Sequence, residues 1–97
     1  MKKAAAMSDR TRIGAVVIGR NEGQRLVTCL KSLKNNLDHI VYVDSGSDDN
    51  SLQEAAALGV ETVSLDMSIA FTAARARNEG AEYLLSHFDG LDYIQFI

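Results

Sequence analysis

The chain has 97 residues, of which 46% are hydrophobic, and a formal net charge of -3, so it is long enough for one small domain. The acidic balance argues against a nucleic-acid or anionic-membrane surface, and no stretch approaches the roughly 20 apolar residues of a membrane-spanning helix. Cys29 is the single cysteine. An intrachain disulfide is therefore excluded, and a reducing compartment, the cytoplasm, is predicted.

Residues 1–11 are predicted to form a flexible N-terminal arm and residues 12–97 one folded region. The β-branched apolar run from Ile13 to Ile18 predicts a buried strand that Gly19 closes. Asn21 then suits the N-cap of a helix. That helix presents one apolar stripe, formed by Leu26, Leu30, Leu33 and Leu37.

Strands and helices continue to alternate along the rest of the chain. The predicted elements are, in order, strand His39–Val43, a short helix capped by Asp49 or Asn50 and ended by Gly59, strand Val60–Leu65, a helix from about Thr72 to Ser86, and strand Tyr93–Ile97. This β-α-β-α-β-α-β order predicts a Rossmann-like, three-layer α/β/α fold with a mostly parallel sheet.

In such a sheet, ligands bind at the carboxyl ends of the strands. Asp44 ends an apolar strand there, where its carboxylate suits ribose hydroxyls or a base N–H, although Asp is also an ordinary turn residue. Asp48 and Asp49 suit a turn or a helix cap as well as a ligand site. Both histidines, His39 and His87, fall at the opposite edge, where a structural role is predicted.

The segment FTAARARNEG places Arg75 and Arg77 in the first two turns of the last helix. Cations are disfavoured at a helix N-terminus unless an anion such as a diphosphate binds there. The alternative is that these arginines are solvated, or pair with Glu79 or Asp48. Asn78 is the polar member of a stripe that is predicted to be buried, namely Phe71, Ala74, Asn78, Ala81 and Leu85.

Two common nucleotide-binding motifs are absent, since the glycines do not form G-x-G-x-x-G and there is no G-K-[ST]. Three other segments occur in order: IGAVVIGRNEGQRLVTCLKSL, IVYVDSGSDDNS and SIAFTAARARNEGAEYL. Together they resemble the N-terminal half of family 2 glycosyltransferases, which have the GT-A fold.

The resemblance implies a hexosyltransferase-type enzyme of polysaccharide biosynthesis that binds a nucleoside-diphosphate sugar, most often UDP-linked. It implies inverting transfer of the sugar to an acceptor hydroxyl. The residues that it implies for nucleotide binding are Arg20, Asn21, Glu22, Asp44, Ser45, Asp48, Asp49, Arg75 and Asn78.

In that family a strand like YIQFI leads into a D-x-D element whose acids hold Mg²⁺ or Mn²⁺, and this chain ends at Ile97. The chain is therefore expected to be the donor-binding half of a longer enzyme. A divalent metal is expected for the full-length enzyme, and neither a metal site nor a catalytic residue for this half. Because departure of a nucleoside diphosphate needs its charge neutralised, the chain alone is expected to be inactive.

Three other interpretations remain open from the sequence. The chain could be a non-catalytic nucleotide-binding module that uses the same sheet edge. It could be a structural fragment that self-associates through its last strand, because an unpaired apolar edge invites pairing. A nucleotidyltransferase is the nearest enzymatic rival, but GRNEGQ is a poor match to the glycine-rich basic loop expected there.

Overall fold

The computed structural model describes residues 12–37 and 39–97, so the predicted N-terminal arm lies outside the described residues. Within these residues, four strands alternate with three helices, as the sequence predicts. The elements are β1 (Ile13–Gly19), α1 (Gln24–Lys34), β2 (His39–Asp44), α2 (Ser51–Ala57), β3 (Glu61–Ser64), α3 (Ala73–His87) and β4 (Tyr93–Phe96).

The four strands form one parallel sheet in the order β3-β2-β1-β4. The register aligns the strand ends, because Gly19 lies opposite Asp44 and Asp44 lies opposite Ser64. The loops that follow β1, β2 and β3 therefore emerge side by side at one edge, which we call the carboxyl edge.

Alternating side chains of the sheet build two cores, one on each face. Helices α1 and α2 cover one face, and α3 covers the other. The first core contains Ala15, Val17, Leu26, Leu30, Ile40, Tyr42, Ala55 and Val60. The second contains Val16, Val41, Val43, Leu65, Ala76 and Leu84. The predicted three-layer α/β/α architecture is confirmed.

The leucine stripe of α1 packs as predicted, with Leu26 and Leu30 in the first core and Leu33 and Leu37 against it. The predicted start of this helix is wrong. Its N-cap position is Gly23, which provides no side-chain cap. The predicted end of α2 is correct, since Gly59 has φ +81° and its N–H donates to the Ala56 carbonyl.

The predicted buried stripe of α3 is also wrong. The buried residues of this helix are Ala76, Gly80 and Leu84, whereas Asn78 is exposed and Leu85 is 62% exposed. A Cβ atom on Gly80 would lie 2.5 Å from the Val16 side chain. The helix thus turns Ala76 and Gly80 to the sheet because these small residues permit close approach, with Leu84 completing the buried face and Leu85 outside it.

Candidate functional site

Three loops meet at the carboxyl edge, after β1, β2 and β3. Backbone hydrogen bonds continue the strand pairing into these loops: Ser45 N–H donates to the Gly19 carbonyl over 3.0 Å, and Leu65 N–H donates to the Asp44 carbonyl over 3.0 Å. The loops therefore leave the sheet in a fixed mutual arrangement. Most of the predicted site residues lie in them.

A pocket of about 200 Å³ opens between these loops on the α3 side of the sheet. Its lining is Ile18, Gly19, Arg20, Ser45, Met67 and Phe71. Met67 packs over Gly46, which has φ +81° and would bring a Cβ atom to 3.1 Å from Met67 Cγ. Arg20 is the charged residue of the lining. This pocket, called the α3-side pocket below, thus combines apolar walls with one cation and one hydroxyl.

Asp44 lies on the other side of the edge and is only 1% exposed. Its carboxylate accepts three hydrogen bonds: from Tyr42 Oη to Oδ1 over 2.7 Å, from Ser47 N–H to Oδ2 over 2.8 Å, and from Ser47 Oγ to Oδ1. A buried carboxylate needs such partners. Direct contact of Asp44 with a ligand stays a prediction, and in this structure both of its oxygens face protein donors.

Tyr42 is fully buried in the first core. Burial raises the pKa of its phenol well above the ordinary value, and the hydrogen bond to the Asp44 carboxylate raises it further. The phenol therefore keeps its proton at neutral pH and remains a hydrogen-bond donor to Asp44.

Asn21 joins two of the loops instead of capping α1. Its backbone has φ 53°, a left-handed conformation that Asn adopts more readily than most residues. Its N–H donates to Ser47 Oγ over 2.9 Å, and its side-chain Oδ1 accepts from the N–H groups of Asp48 at 2.7 Å and Asp49 at 3.2 Å. Asn21 thus ties the loop after β1 to the loop after β2.

The two other acids of the cluster differ in their surroundings. Asp49 Oδ1 accepts from Ser51 N–H over 3.0 Å and from Ser51 Oγ over 2.5 Å, at the first residue of α2. The Ser51 hydroxyl and then its N–H lower the pKa of Asp49. This is the turn role that the sequence left open, whereas the N-cap position of α2 is Asn50, whose side chain makes no cap hydrogen bond. Asp48 is exposed, and its use as a ligand contact stays a prediction.

Arg75 holds the loop after β3. Its guanidinium donates to the carbonyls of Asp66 over 2.8 Å and Ile69 over 3.2 Å, and lies 3.8 Å from the Glu79 carboxylate. The N-terminus of α3 is capped by Thr72, whose Oγ1 accepts from Arg75 N–H over 3.0 Å. The pKa of Asp66 is lowered by Ser68 and, to a smaller extent, by the charge of Arg75. Contact of Arg75 with a diphosphate stays a prediction.

The remaining predicted site residues do not line the α3-side pocket. Glu22 pairs with Arg25 over 3.0 Å and faces a groove on the α1 side with Val17 and Cys29. Asn78 is exposed on α3. Sequence reasoning missed Ser47, Met67 and Phe71. The signal for the last two was available, since they are large apolar residues in the connection between β3 and α3, a place where polar residues are more common.

The opposite edge of the sheet holds both histidines. His39 stacks on Phe88 with ring centroids 4.1 Å apart, and His87 stacks on Tyr83 at 3.8 Å. Within residues 12–37 and 39–97, no group of three or more His, Cys, Asp or Glu side chains is arranged to hold a metal ion. None of the helices in the described ranges is long and apolar enough to cross a membrane.

A parallel sheet covered by helices on both faces, with a pocket at its carboxyl edge, places the protein in the class of open α/β domains, in which ligands bind at that edge. Comparison with known proteins defines the family. The model of glycosyl transferase family 2 matches residues 15–96. The chain belongs to this family, as the three sequence segments predict.

Two curated relatives illustrate the similarity. A glycosyltransferase of Rickettsia felis is 35% identical over 52 residues, covering 54% of this chain and 18% of the relative. A TPR repeat-containing protein of Synechococcus elongatus is 31% identical over 64 residues, covering 66% of this chain and 16% of the relative. The matched part of the chain thus spans less than a fifth of the length of these relatives.

Solved structures of glucosyl-3-phosphoglycerate synthase from Mycobacterium tuberculosis share the fold and 31% sequence identity. The complex with UDP aligns with a TM-score of 0.52, covering 62% of this chain and 23% of that protein. The complex with Mn²⁺, UDP and glucosyl-3-phosphoglycerate aligns with the same score and coverage. A third complex contains Mn²⁺, UDP-glucose and phosphoglyceric acid and aligns over 62% of this chain and 22% of that protein.

Proposed function

We propose that this chain is the donor-binding region of a glycosyltransferase and binds the nucleotide of a nucleoside-diphosphate sugar, with UDP-sugars as the leading class. The whole enzyme would transfer the sugar to an acceptor hydroxyl with inversion. The observation that carries the proposal is the α3-side pocket, which lies at the carboxyl edge of a family 2 sheet.

The lining of the pocket suits the base of such a ligand. Met67 and Phe71 provide apolar surface against which a base can lie, and Ser45 can exchange hydrogen bonds with its polar rim. The charge of Arg20 complements a phosphate or an electron-rich base. Pockets for complete drug-sized ligands have about 300–1,000 Å³, so about 200 Å³ accommodates a nucleoside portion. The sugar and the diphosphate would extend outside the pocket.

The whole enzyme is proposed to require Mg²⁺ or Mn²⁺, in line with the Mn²⁺ found in the solved relative. The described residues offer no cluster that fits a divalent ion, so no step of the reaction is assigned to a metal here. Without that charge the departing nucleoside diphosphate would be poorly stabilised. We therefore propose that this chain binds the donor without transferring its sugar efficiently.

Calorimetry on the 97-residue chain with UDP, UDP-glucose and GDP, each with and without Mn²⁺, tests the proposal. Weak binding of UDP that strengthens in a longer chain supports the donor-binding region of an enzyme. Tight binding that does not depend on metal favours the alternative, a non-catalytic nucleotide-binding module. The proposal fails if none of the three nucleotides binds to either chain, or if the 97-residue chain transfers sugar in a metal-dependent assay.

The residues that contact the nucleotide are proposed in two groups. Arg20 and Ser45 line the pocket and are the leading candidates for direct contact. Glu22, Asp48, Arg75 and Asn78 lie around the same edge or on the first turns of α3, outside the pocket lining. Binding of UDP by the R20A and S45A variants separates the two groups, because loss in these variants and not in E22A supports the pocket.

A second candidate property is self-association through β4. This strand lies at one edge of the sheet, and Tyr93 and Phe96 are 66% and 47% exposed. Unpaired edge strands with apolar side chains can pair with another chain. Light scattering at high protein concentration tests this property, and a strict monomer contradicts it. The cytoplasmic location expected from the single cysteine stays a prediction.

A further inference from the structure

A continuous chain of hydrogen bonds runs from the first core to the loop after β1. It begins at the buried phenol of Tyr42, passes through the Asp44 carboxylate to Ser47, and reaches the backbone N–H of Asn21. We call these four residues the clasp. The clasp connects residues that are more than 20 positions apart in the sequence, so it forms only when β1 and β2 pair.

The side chain of Asn21 extends the clasp into the loop that precedes α2. Its Oδ1 accepts from two successive backbone N–H groups, those of Asp48 and Asp49. An acceptor in this position replaces the carbonyl that a regular turn would supply. The loops after β1 and β2 are therefore held by one amide side chain, which itself occupies a left-handed backbone conformation.

The direction of the Asp44 side chain separates it from the pocket. Asp44 follows Tyr42 by two residues on the same strand, so both face the α1 and α2 side. Ser45, one residue further, lines the α3-side pocket. With 1% exposure and three donors at its two oxygens, the carboxylate has little free capacity to accept from a ligand.

We propose that the clasp positions Arg20 and Ser45 at the α3-side pocket, and that Asp44 acts on nucleotide binding through this positioning without touching the nucleotide. The choice of ligand rests on the proposed function, whereas the hydrogen bonds of the clasp do not. Arg20 and Ser45 are direct chain neighbours of Asn21 and Asp44, so displacement of the clasp moves both pocket residues.

The first experiment separates positioning by Asp44 from contact. Affinities for UDP, 2′-deoxy-UDP and N3-methyl-UDP are measured with the unmodified protein and the D44N variant. Positioning predicts the same loss of affinity, about tenfold, for all three ligands, because no ligand group pairs with the carboxylate. Contact predicts a clearly smaller loss for the analogue that lacks the contacted group, and that result overturns the proposal.

Should D44N fail to fold, the S47A variant replaces it in the same comparison. It removes the two hydrogen bonds of the Ser47 hydroxyl, to the Asp44 carboxylate and from the Asn21 N–H, and leaves the carboxylate in place. The S47T variant keeps the hydroxyl and is expected to restore UDP affinity to within about threefold of the unmodified protein. Equal losses for the three ligands with S47A, restored by S47T, support positioning. Unchanged affinity in S47A overturns it.

A second experiment tests the clasp independently of any ligand. The N21G variant keeps the positive φ and removes the side-chain acceptor, so the amides of Asp48 and Asp49 are expected to exchange with solvent at least about tenfold faster by NMR. The N21D variant retains an acceptor oxygen and is expected to keep the protection. N36G, a matched change at the opposite edge of the sheet, is expected to leave both amides unchanged.

The two experiments fail in different ways. If the unmodified protein binds no nucleotide, the proposed function fails, and amide exchange still decides whether the Asn21 side chain ties the clasp to the loop before α2. If UDP binds normally, S47A leaves its affinity unchanged and N21G leaves the exchange of the Asp48 and Asp49 amides unchanged, the clasp proposal fails and the proposed function stands.

Discussion

The two sides of the carboxyl edge are built differently, although the sequence places polar residues on both. On the α1 and α2 side, Tyr42 and Asp44 of the clasp are buried, and the polar atoms of the clasp bond to one another. On the α3 side the pocket is open, and its loop carries the exposed apolar residues Met67, Ile69 and Phe71. Asp44, the acid that the sequence favoured most as a ligand contact, thus has its hydrogen-bond partners within the protein.

This difference shows how a small sheet can prepare a binding edge. Buried polar atoms that satisfy one another fix the loop geometry, because each alternative arrangement would leave a donor or acceptor unpaired. On the open side, the apolar surface of Met67 and Phe71 and the charge of Arg20 are exposed to water, and a ligand can cover them. Substitutions in the clasp should therefore lower stability and, through positioning, affinity, whereas substitutions of the exposed apolar residues of the pocket should lower affinity with little change in stability.

The largest effect is expected for D44A. Removal of the carboxylate leaves the Tyr42 phenol and the Ser47 N–H without their acceptor in a buried setting, at about 1–3 kcal/mol per group. We expect the free energy of unfolding to fall by about 3 kcal/mol in urea denaturation.

The matched control for D44A is D48A, which removes an exposed acid of the same cluster and should change the free energy of unfolding by less than about 0.5 kcal/mol. Equal destabilisation by the two substitutions would remove the distinction between the two sides of the edge.

On the open side, F71A and M67A are expected to weaken UDP binding about tenfold each, or about 1.4 kcal/mol. The reason is loss of the apolar walls against which the nucleoside lies. Since both side chains are more than 40% exposed, stability should change little. Calorimetry gives the affinities, and thermal unfolding checks the fold.

Ile69 provides the control for these two residues. It is 54% exposed in the same loop but does not line the pocket, so I69A should leave UDP affinity unchanged. If I69A weakens binding as much as F71A does, the ligand covers the loop generally and the pocket assignment is wrong.

A smaller effect is expected for R75Q. The guanidinium donates to two backbone carbonyls of the loop after β3, and glutamine cannot reproduce both bonds. We expect a loss of about 1 kcal/mol in stability and faster amide exchange in residues 66–70. R77Q, which changes an exposed arginine two residues further along α3, should leave this exchange unaltered. Equal changes in both variants would indicate a general effect of charge on α3.

The smallest effect concerns pH. The pKa values of Asp49 and Asp66 are lowered from the ordinary 3.8 by the serines two residues later. A lowered pKa in the folded state stabilises the fold above pH 3.8, and this contribution is lost as the pH falls through the folded-state pKa. NMR titration of the carboxyl carbons should give midpoints below 3.8 for both.

Two variants assign the cause of these shifts. S51A should raise the midpoint of Asp49 alone, and S68A should raise that of Asp66 alone, because each serine provides the main hydrogen bonds to one carboxylate. A midpoint at or above 3.8 in the unmodified protein would contradict the lowered pKa.

The sequence predicted the element order well, because apolar runs and their spacing decide strands and helices locally. It misplaced the buried face of α3. There the large apolar residues Phe71 and Leu85 suggested a core stripe, but close packing on Val16 selected Ala76 and Gly80. The sequence pattern predicts a buried face from the spacing of apolar residues alone. The face that packs on the sheet also depends on side-chain volume, because small residues let the helix come closer.

By itself, the sequence determined the α/β class, the parallel sheet, the edge at which polar residues gather and the family. These depend on local pattern and on the right-handed connection of parallel strands. Only the tertiary structure decided which of those residues face one another: that Asp44 turns to Tyr42 and Ser47, and that Arg20 and Ser45 meet Met67 and Phe71. The physical reason is that successive side chains of a strand point to opposite faces, and the partner on each face comes from a distant part of the chain.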